Sequence, residues 1–255
     1  MGEQRRLIEL LKEKRQAVIS HAVTKGLNPH APLKHSGIEW LGDVPEHWKV
    51  LAFRRIVKRV VVGIAEAATH AYAEEGVPIV RSTNIKSGTI DESDMLFINP
   101  EFAEKLDTKA LLAQDIVTTR TGANVGVSAV VPESLHWSQC FTLLISTPGP
   151  EANPYFYNHF INSGPGRTYV EITAWGSGQP NISVPILQEM QTIHPPLREQ
   201  SEIVAFIESE TAKLDALTAE AERGIELLQE RRTALISAAV TGQIDVRGLV
   251  ETEAA

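Results

Sequence analysis

The sequence predicts an α+β fold, a mixed and loop-rich α/β domain followed by one long coiled-coil-type helix. Two observations carry this expectation. A segment near the start of the chain reappears 217 residues later, and the second copy lies in a stretch that holds no proline between Leu197 and Thr241. Between the two copies, Gly, Pro, Asn and Ser punctuate short runs rich in β-branched residues, as a domain of short strands requires.

The repeat organises the rest. Residues 8–24 (IELLKEKRQAVISHAVT) and 225–241 (IELLQERRTALISAAVT) are identical at 12 of 17 positions. Amphipathic helices share a pattern by chance, but not the same Glu, Arg, Ser and Thr at matched places, so this is a duplicated unit. One period covers most of the protein: a closing helical piece (residues 1–27), a globular part (28–194), a long helix (195–242) and a short tail (243–255).

The long helix is expected to open after Pro195 and Pro196 and to run to Thr241-Gly242, with Gly224 its weak point. About 45 residues at 1.5 Å rise give roughly 65–70 Å. Ile207, Leu214, Ala221, Leu228 and Leu235 recur every seven residues, as a coiled-coil seam requires, with Leu217 added from a mixed companion series. In residues 28–194, strands are expected over 77–81, 115–119, 126–131 and 141–146, and short helices over 103–113 and 154–163.

Composition limits the chemistry. The only cysteine is Cys140, which excludes an internal disulfide framework and a CxxC zinc pair and fits a reducing, cytoplasmic setting. The longest apolar run, residues 60–65, is too short to span a bilayer. Formal charge is −8, and no segment is strongly basic. Contact with a polyanion would have to use local patches, such as Lys49, Arg54, Arg55, Lys58 and Arg59, or a more basic partner.

There is no Walker A loop, no H-E-x-x-H and no G-x-S-x-G, so nucleotide hydrolysis, zinc proteolysis and α/β-hydrolase chemistry lose their usual support. The histidines show no metal-ligand spacing. Asn153-Pro154-Tyr155-Phe156 approaches an adenine-methyltransferase tetrapeptide but lacks its second proline, and Gly176-Ser177-Gly178 reads as a turn. The domain instead carries polar side chains on Gly-rich loops: Arg81, Asn84 and Lys86; Arg120, Thr121 and Asn124; Gln179 and Asn181. Arg pairs bidentately with guanine, and Asn or Gln with adenine, at base edges in the major groove.

Six marks occur in order: SGIEWLG leading to PEHW (36–48), RSTNIKSG (81–88), DIVTTRTGANVG (115–126), GSGQPNIS (176–183), Pro195-Pro196-Leu197 with Glu199-Gln200, and RTALISAAVTG (232–242). Together they resemble the specificity subunit of type I restriction-modification systems over nearly the whole chain. The resemblance implies a subunit without catalysis or cofactor of its own. Two target-recognition domains, set apart by two antiparallel spacer helices, each read half of a split site in double-stranded DNA. Methyltransferase (M) subunits grip the helices, and restriction (R) subunits join through them.

On this resemblance 28–194 is the target-recognition domain, 195–242 the helix for dimerisation and M-subunit docking, and 1–27 the closing piece of the other helix. With one recognition domain the chain looks like a half-subunit. A homodimer through the long helix would restore two domains and favour a palindromic split site. The eight polar loop residues are placed near DNA, with Tyr72, Thr89, Trp137 and Arg167 equally eligible, because family marks are shared by members reading different sequences. A non-DNA coiled-coil adaptor is the rival reading and suits the acidic charge.

Overall fold

The computed structural model describes residues 2–65, 69–176 and 178–244. Ser177 of the GSG turn and residues 245–255 of the expected tail lie outside the described residues. The chain forms two compact units, one from Val18 to Ile207 and one from the helical segments before Val18 and after Ile207.

The first unit is built on a four-stranded antiparallel sheet in the order Ser128–Val130, Ile116–Thr118, Leu144–Pro148, Val57–Val62. Its two central strands are buried over Ile116–Thr118 and at Leu144, Ile145 and Ser146, so both faces of the sheet are covered there. A second sheet orders Gln139–Cys140, Val77–Val80, Leu96–Ile98 and Tyr72–Ala73, the first pair being parallel. The long-range pair Lys49–Ala52 with Gln191–His194 brings the two ends of the domain together.

Helix α1 spans Gly2–Lys25, α2 Pro100–Glu104, α3 Pro154–Asn162, α4 Gly164–Thr173, α5 Val184–Glu189 and α6 Leu197–Val240. The main core gathers Trp48, Phe53, Phe156, Tyr157 and Phe160 with Ile19, Ala22 and Val23 of α1 and Ile203 and Ile207 of α6. Burying aromatic groups of this size dominates core energetics.

Several family marks prove to be structural. Trp48 is fully buried and donates its indole N–H to Glu199 Oε2 at 3.0 Å, where His47 also bonds at 2.8 Å. The buried Gln200 accepts from the Asn153 N–H at 2.8 Å and donates to the carbonyls of Glu151 at 3.0 Å and Pro195 at 2.8 Å. These bonds fix the first turn of α6 to the domain. Asn153 caps α3 by accepting from the Tyr155 and Phe156 N–H groups, which gives this tetrapeptide a helix-start role.

The expected helix over 103–113 is not formed. It gives way after Glu104 to a short 3-10 turn at Asp107–Lys109, because Arg59 donates to the carbonyls of Thr108 at 2.7 Å and Ala110 at 3.1 Å. The Leu111 N–H bonds Ser138 O instead of a carbonyl one helical turn back. The strand expected at 141–146 starts later, at Leu144, since Phe141 bonds Val80 O and Thr142 sits at φ 49°. The other three expected strands form within a residue or two of their predicted ends.

In the second unit α1 lies antiparallel to α6. Arg15 Nε meets Asp215 Oδ1 at 3.0 Å, and nearer the chain start Gln4, Leu7 and Leu11 line a cavity of about 340 Å³ with Leu217, Ala221 and Gly224. Ile207 is fully buried in the core of the first unit, so it is not open to a partner, which corrects its place in the expected seam. Leu214 is buried, Ala221 and Leu228 are half-buried, and Leu217 and Leu235 are exposed. The heptad positions therefore do not form one continuous external seam.

Candidate nucleic-acid interface

The strand Ile116–Thr118 and its neighbour Ser128–Val130 are joined by a projecting loop, residues 119–127. The loop is closed at its base by Thr119 N–H to Val127 O and Gly126 N–H to Thr119 O, both 2.8 Å. Gly126 has φ 78°, and a Cβ there would stand 2.7 Å from Val170, so a glycine is required for α4 to pack against the loop. Arg167 Nη1 holds the same loop from α4 by donating to Val125 O at 2.7 Å.

A second loop, which follows α4, is stitched onto the first. Trp175 and Asn181 exchange backbone bonds at 3.1 and 2.9 Å, the Ile182 N–H bonds Arg120 O at 2.9 Å, and the Gly122 N–H bonds Pro180 O at 3.1 Å. These bonds bring Arg120, Thr121, Asn124, Gln179 and Asn181 together on one surface. Asn124 and Gln179 are exposed, and Arg120, Thr121 and Asn181 are half-buried.

Within this surface, Arg120 Nε and Asn181 Oδ1 are buried and have no hydrogen-bond partner. Buried polar atoms are almost always paired, so two such atoms in adjacent chain segments mark unmet hydrogen-bonding capacity. Beside them Trp175 is 59% exposed, with Ile172 exposed on the last turn of α4. Sequence reasoning passed over both. The available signal was a large aromatic immediately before a Gly-rich turn, where an apolar ring lacks a core to enter.

The loop holding Arg81, Asn84 and Lys86 is different. Asn84 is buried and all its capacity is used: Oδ1 accepts from the Arg81 N–H at 3.0 Å and Nε–H at 3.4 Å, and the amide donates to the carbonyls of Asp91 at 3.0 Å and Asp94 at 3.2 Å. Arg81 also pairs with the Asp94 carboxylate at 3.0 Å. Lys86 is exposed, with its ammonium 3.3 Å from Thr83 O.

The hairpin Ile85–Lys86 with Thr89–Ile90 reaches the same end of the sheet, because the Gly88 N–H bonds Ser128 O at 3.0 Å, where the 119–127 loop re-enters its strand. Ser128 is fixed there by Asn158 at 2.9 Å and by Asn162, which both donates to its carbonyl and accepts from its N–H. Thr89 is exposed on this hairpin. Tyr72 is exposed with its ring 5.8 Å from Phe141, and Trp137 is exposed at φ 66° on another turn.

Of the predicted basic patch, Arg54 and Arg59 are engaged within the fold, while Lys49, Arg55 and Lys58 are exposed. Arg54 pairs with Glu189, and Arg59 bonds Thr147, Thr108 and Ala110 and lies 3.5 Å from Asp115. Burial raises the Asp115 carboxyl above its ordinary range, opposed by bonds from Thr147 and the Leu112 N–H and by the Arg59 charge. Burial also pushes the Cys140 thiol up to about 12, so it is not a nucleophile at neutral pH. Among the described residues no cluster of His, Cys, Asp and Glu is arranged to hold a metal, and no helix is long and apolar enough to cross a membrane.

The sequence profile described as type I restriction modification DNA specificity domain matches residues 65–227, more than half of the chain. The chain belongs to this family. It is 24% identical over 251 residues to the EcoKI specificity subunit of Escherichia coli (strain K12), covering 95% of this chain and 52% of that protein. It is 25% identical over 211 residues to the StySPI specificity subunit of Salmonella potsdam, covering 80% and 44%. The chain thus spans about half the length of these curated relatives.

Solved structures share the fold. The HsdS subunit from Thermoanaerobacter tengcongensis superposes with TM-score 0.56 at 16% identity, over 90% of this chain and 52% of that one. A chain from a structure described as concerning complex assembly and conformational transition of the type I R-M system gives 0.63 at 17% identity, over 94% and 55%.

Proposed function

We propose that this chain is a DNA sequence-recognition component of a type I restriction-modification complex. It reads one half of a split site with the surface formed by the 119–127 and 175–182 loops. The observation that carries the reading is the gathering of exposed Asn124, Gln179 and Trp175 beside half-buried Arg120, Thr121 and Asn181 on two loops stitched together by backbone bonds. This is an exposed polar surface with an aromatic ring beside it, in a protein of the DNA specificity family. The chain performs no chemistry itself. Methyltransferase subunits dock on α6 and bring restriction subunits with them, and two copies pair through their long helices to present two recognition domains on a palindromic split site.

The formal charge of −8 fits this division of labour, in which phosphate attraction is reinforced by the partner and base discrimination comes from the chain. Co-purification with the methyltransferase subunit of its own system, followed by DNA retardation across salt concentrations and mapping of methylated sites, tests the proposal. The expected result is salt-dependent retardation and methylation at one split sequence. A complex that methylates without sequence preference, or retards DNA no better than the methyltransferase alone, overturns it in favour of a protein-binding adaptor.

A further inference from the structure

The two copies of the repeat share a sequence but not an environment. In the first copy Ile8, Leu11, Ile19, Ala22, Val23 and Thr24 are buried. In the second copy the same residue types recur at every one of those positions, as Ile225, Leu228, Ile236, Ala239, Val240 and Thr241. Ile19 is 5% exposed and Val23 0%, whereas Ile236 is 54% and Val240 82% exposed.

The differences between the copies fall elsewhere. Lys12/Gln229, Lys14/Arg231, Gln16/Thr233 and His21/Ala238 replace residues exposed in the first copy, and Val18/Leu235 one that is half-buried. Every position buried in the first copy is therefore kept in the second, on a segment where Ile225, Leu228 and Ala239 are half-buried and Ile236, Val240 and Thr241 are exposed. The charges agree. Arg15 meets Asp215 at 3.0 Å, and its counterpart Arg232 is exposed on α6 with no acidic partner among the described residues. The Thr241 hydroxyl donates to Ser237 O at 2.8 Å as Thr24 does to Ser20 O at 2.6 Å, so the second copy already holds the helical form of the first.

We propose that residues 225–241 of one copy occupy, on a second copy of the chain, the seat that residues 8–24 fill within their own chain. Arg232 then faces Asp215 of the second copy. Ile236, Ala239 and Val240 enter the core position of Ile19, Ala22 and Val23, and Ser237 takes the place of Ser20, whose hydroxyl accepts from the Gly164 N–H at 3.1 Å. Each seat holds one segment, so the chain's own α1 competes with the exchanged segment, and assembly proceeds by displacement. The inference rests on the homodimer reading above and adds which segment is exchanged and against what.

Residues 215 and 232 lie 17 positions apart on one helix, about 25 Å at 1.5 Å per residue, beyond a short bifunctional maleimide within one chain. The full-length chain carrying Asp215→Cys with Arg232→Cys should therefore give a covalent dimer only by exchange, while each variant with only one of the two replacements, its native Cys140 being buried, stays monomeric on a denaturing gel. In parallel, Val240→Asp, at a site exposed within its own chain, should lower the dimer association constant about tenfold or more by light scattering. A dimer by scattering that gives no 215–232 cross-link, or that Val240→Asp leaves unchanged, overturns the exchange and leaves the homodimer standing. A chain that stays monomeric at all concentrations overturns both.

Discussion

Two loops at the same end of one sheet carry similar residues and are held together in different ways. In the 81–86 loop the amide of Asn84 is buried and makes four hydrogen bonds inside its own turn, and Arg81 is held by Asp94. In the 119–127 and 175–182 pair, bonding is done by the backbone. The side chains of Arg120 and Asn181 keep unpaired atoms, and Gln179 and Trp175 face outward. The first loop is shaped by its polar side chains, and the second by its backbone, which leaves Asn124 and Gln179 exposed. An Asn in a Gly-rich loop therefore says little about function until its hydrogen bonds are counted.

The largest effect separates these roles. Asn84→Ala removes the partners of a backbone N–H and two carbonyls in a buried turn, and a loss of about 2–3 kcal/mol in unfolding free energy by urea titration is expected. Whatever folded protein remains should keep its methylation sequence. A stable variant with an altered sequence would move Asn84 from scaffold to reader and erase the contrast.

Arg120→Ala and Gln179→Ala should do the reverse. Unfolding should stay nearly unchanged, while removing a side chain that bonds a base weakens binding by about 1–3 kcal/mol and relaxes one position of the site. Removing Arg120 also removes a buried unpaired atom, so its variant is not expected to be less stable. Site mapping of both variants in the reconstituted complex reads this directly. Unchanged affinity and unchanged sequence would return these residues to ordinary turn chemistry.

The difference between the loops was not legible in the sequence, for a definite reason. Residue types at 81–86 and 120–124 are alike, and what distinguishes them is Asp91 and Asp94, which turn back under Asn84 through contacts that local pattern does not encode. The helix expected at 103–113 failed similarly, because Arg59, about fifty residues earlier in the chain, takes the carbonyls that the helix needs. Helix α6 and the repeat were legible because both are local and periodic. The split of its heptad positions was not, since Ile207 and Leu235 look alike in the sequence and differ only in what covers them.

Lys86 belongs to the first loop and is exposed, bonding Thr83 O and lying close enough to Asp91 for its charge to help hold that carboxyl below its ordinary range. An exposed ammonium on this hairpin suits a phosphate, which positions without reading. Lys86→Ala should weaken binding alike on all sequences, with the slope of log affinity against log salt reduced by about one. A change confined to one base position would show that the hairpin reads sequence.

The smallest effect serves as a control, because it alters the fold without touching either loop. His194 Nδ1 lies 2.6 Å from the Tyr157 hydroxyl, and burial lowers the His194 pKa below its ordinary 6.5, opposed by Glu151 and reinforced by Lys49. Burial also raises the Tyr157 pKa, so the phenol stays protonated and donates to a neutral imidazole. A base whose folded pKa is depressed binds its proton more readily when unfolded. The stability it supports is present above 6.5 and is lost as pH falls from 6.5 toward the folded value. Asp115 acts in the opposite sense: its raised carboxyl pKa favours the folded protein as acid neutralises it. The wild type must therefore be compared with His194→Asn, which keeps an acceptor near Tyr157 and does not titrate. Between pH 7.5 and 5.5 the wild type should lose more of its urea midpoint than the variant does, while complexes reconstituted with either one methylate the same sequence at either pH. Equal midpoint shifts would show that His194 is protonated in the folded protein without penalty. A change of target with pH in the wild type alone would show that recognition is coupled to this part of the fold, and the division between scaffold and reading surface would then have to be redrawn to include it.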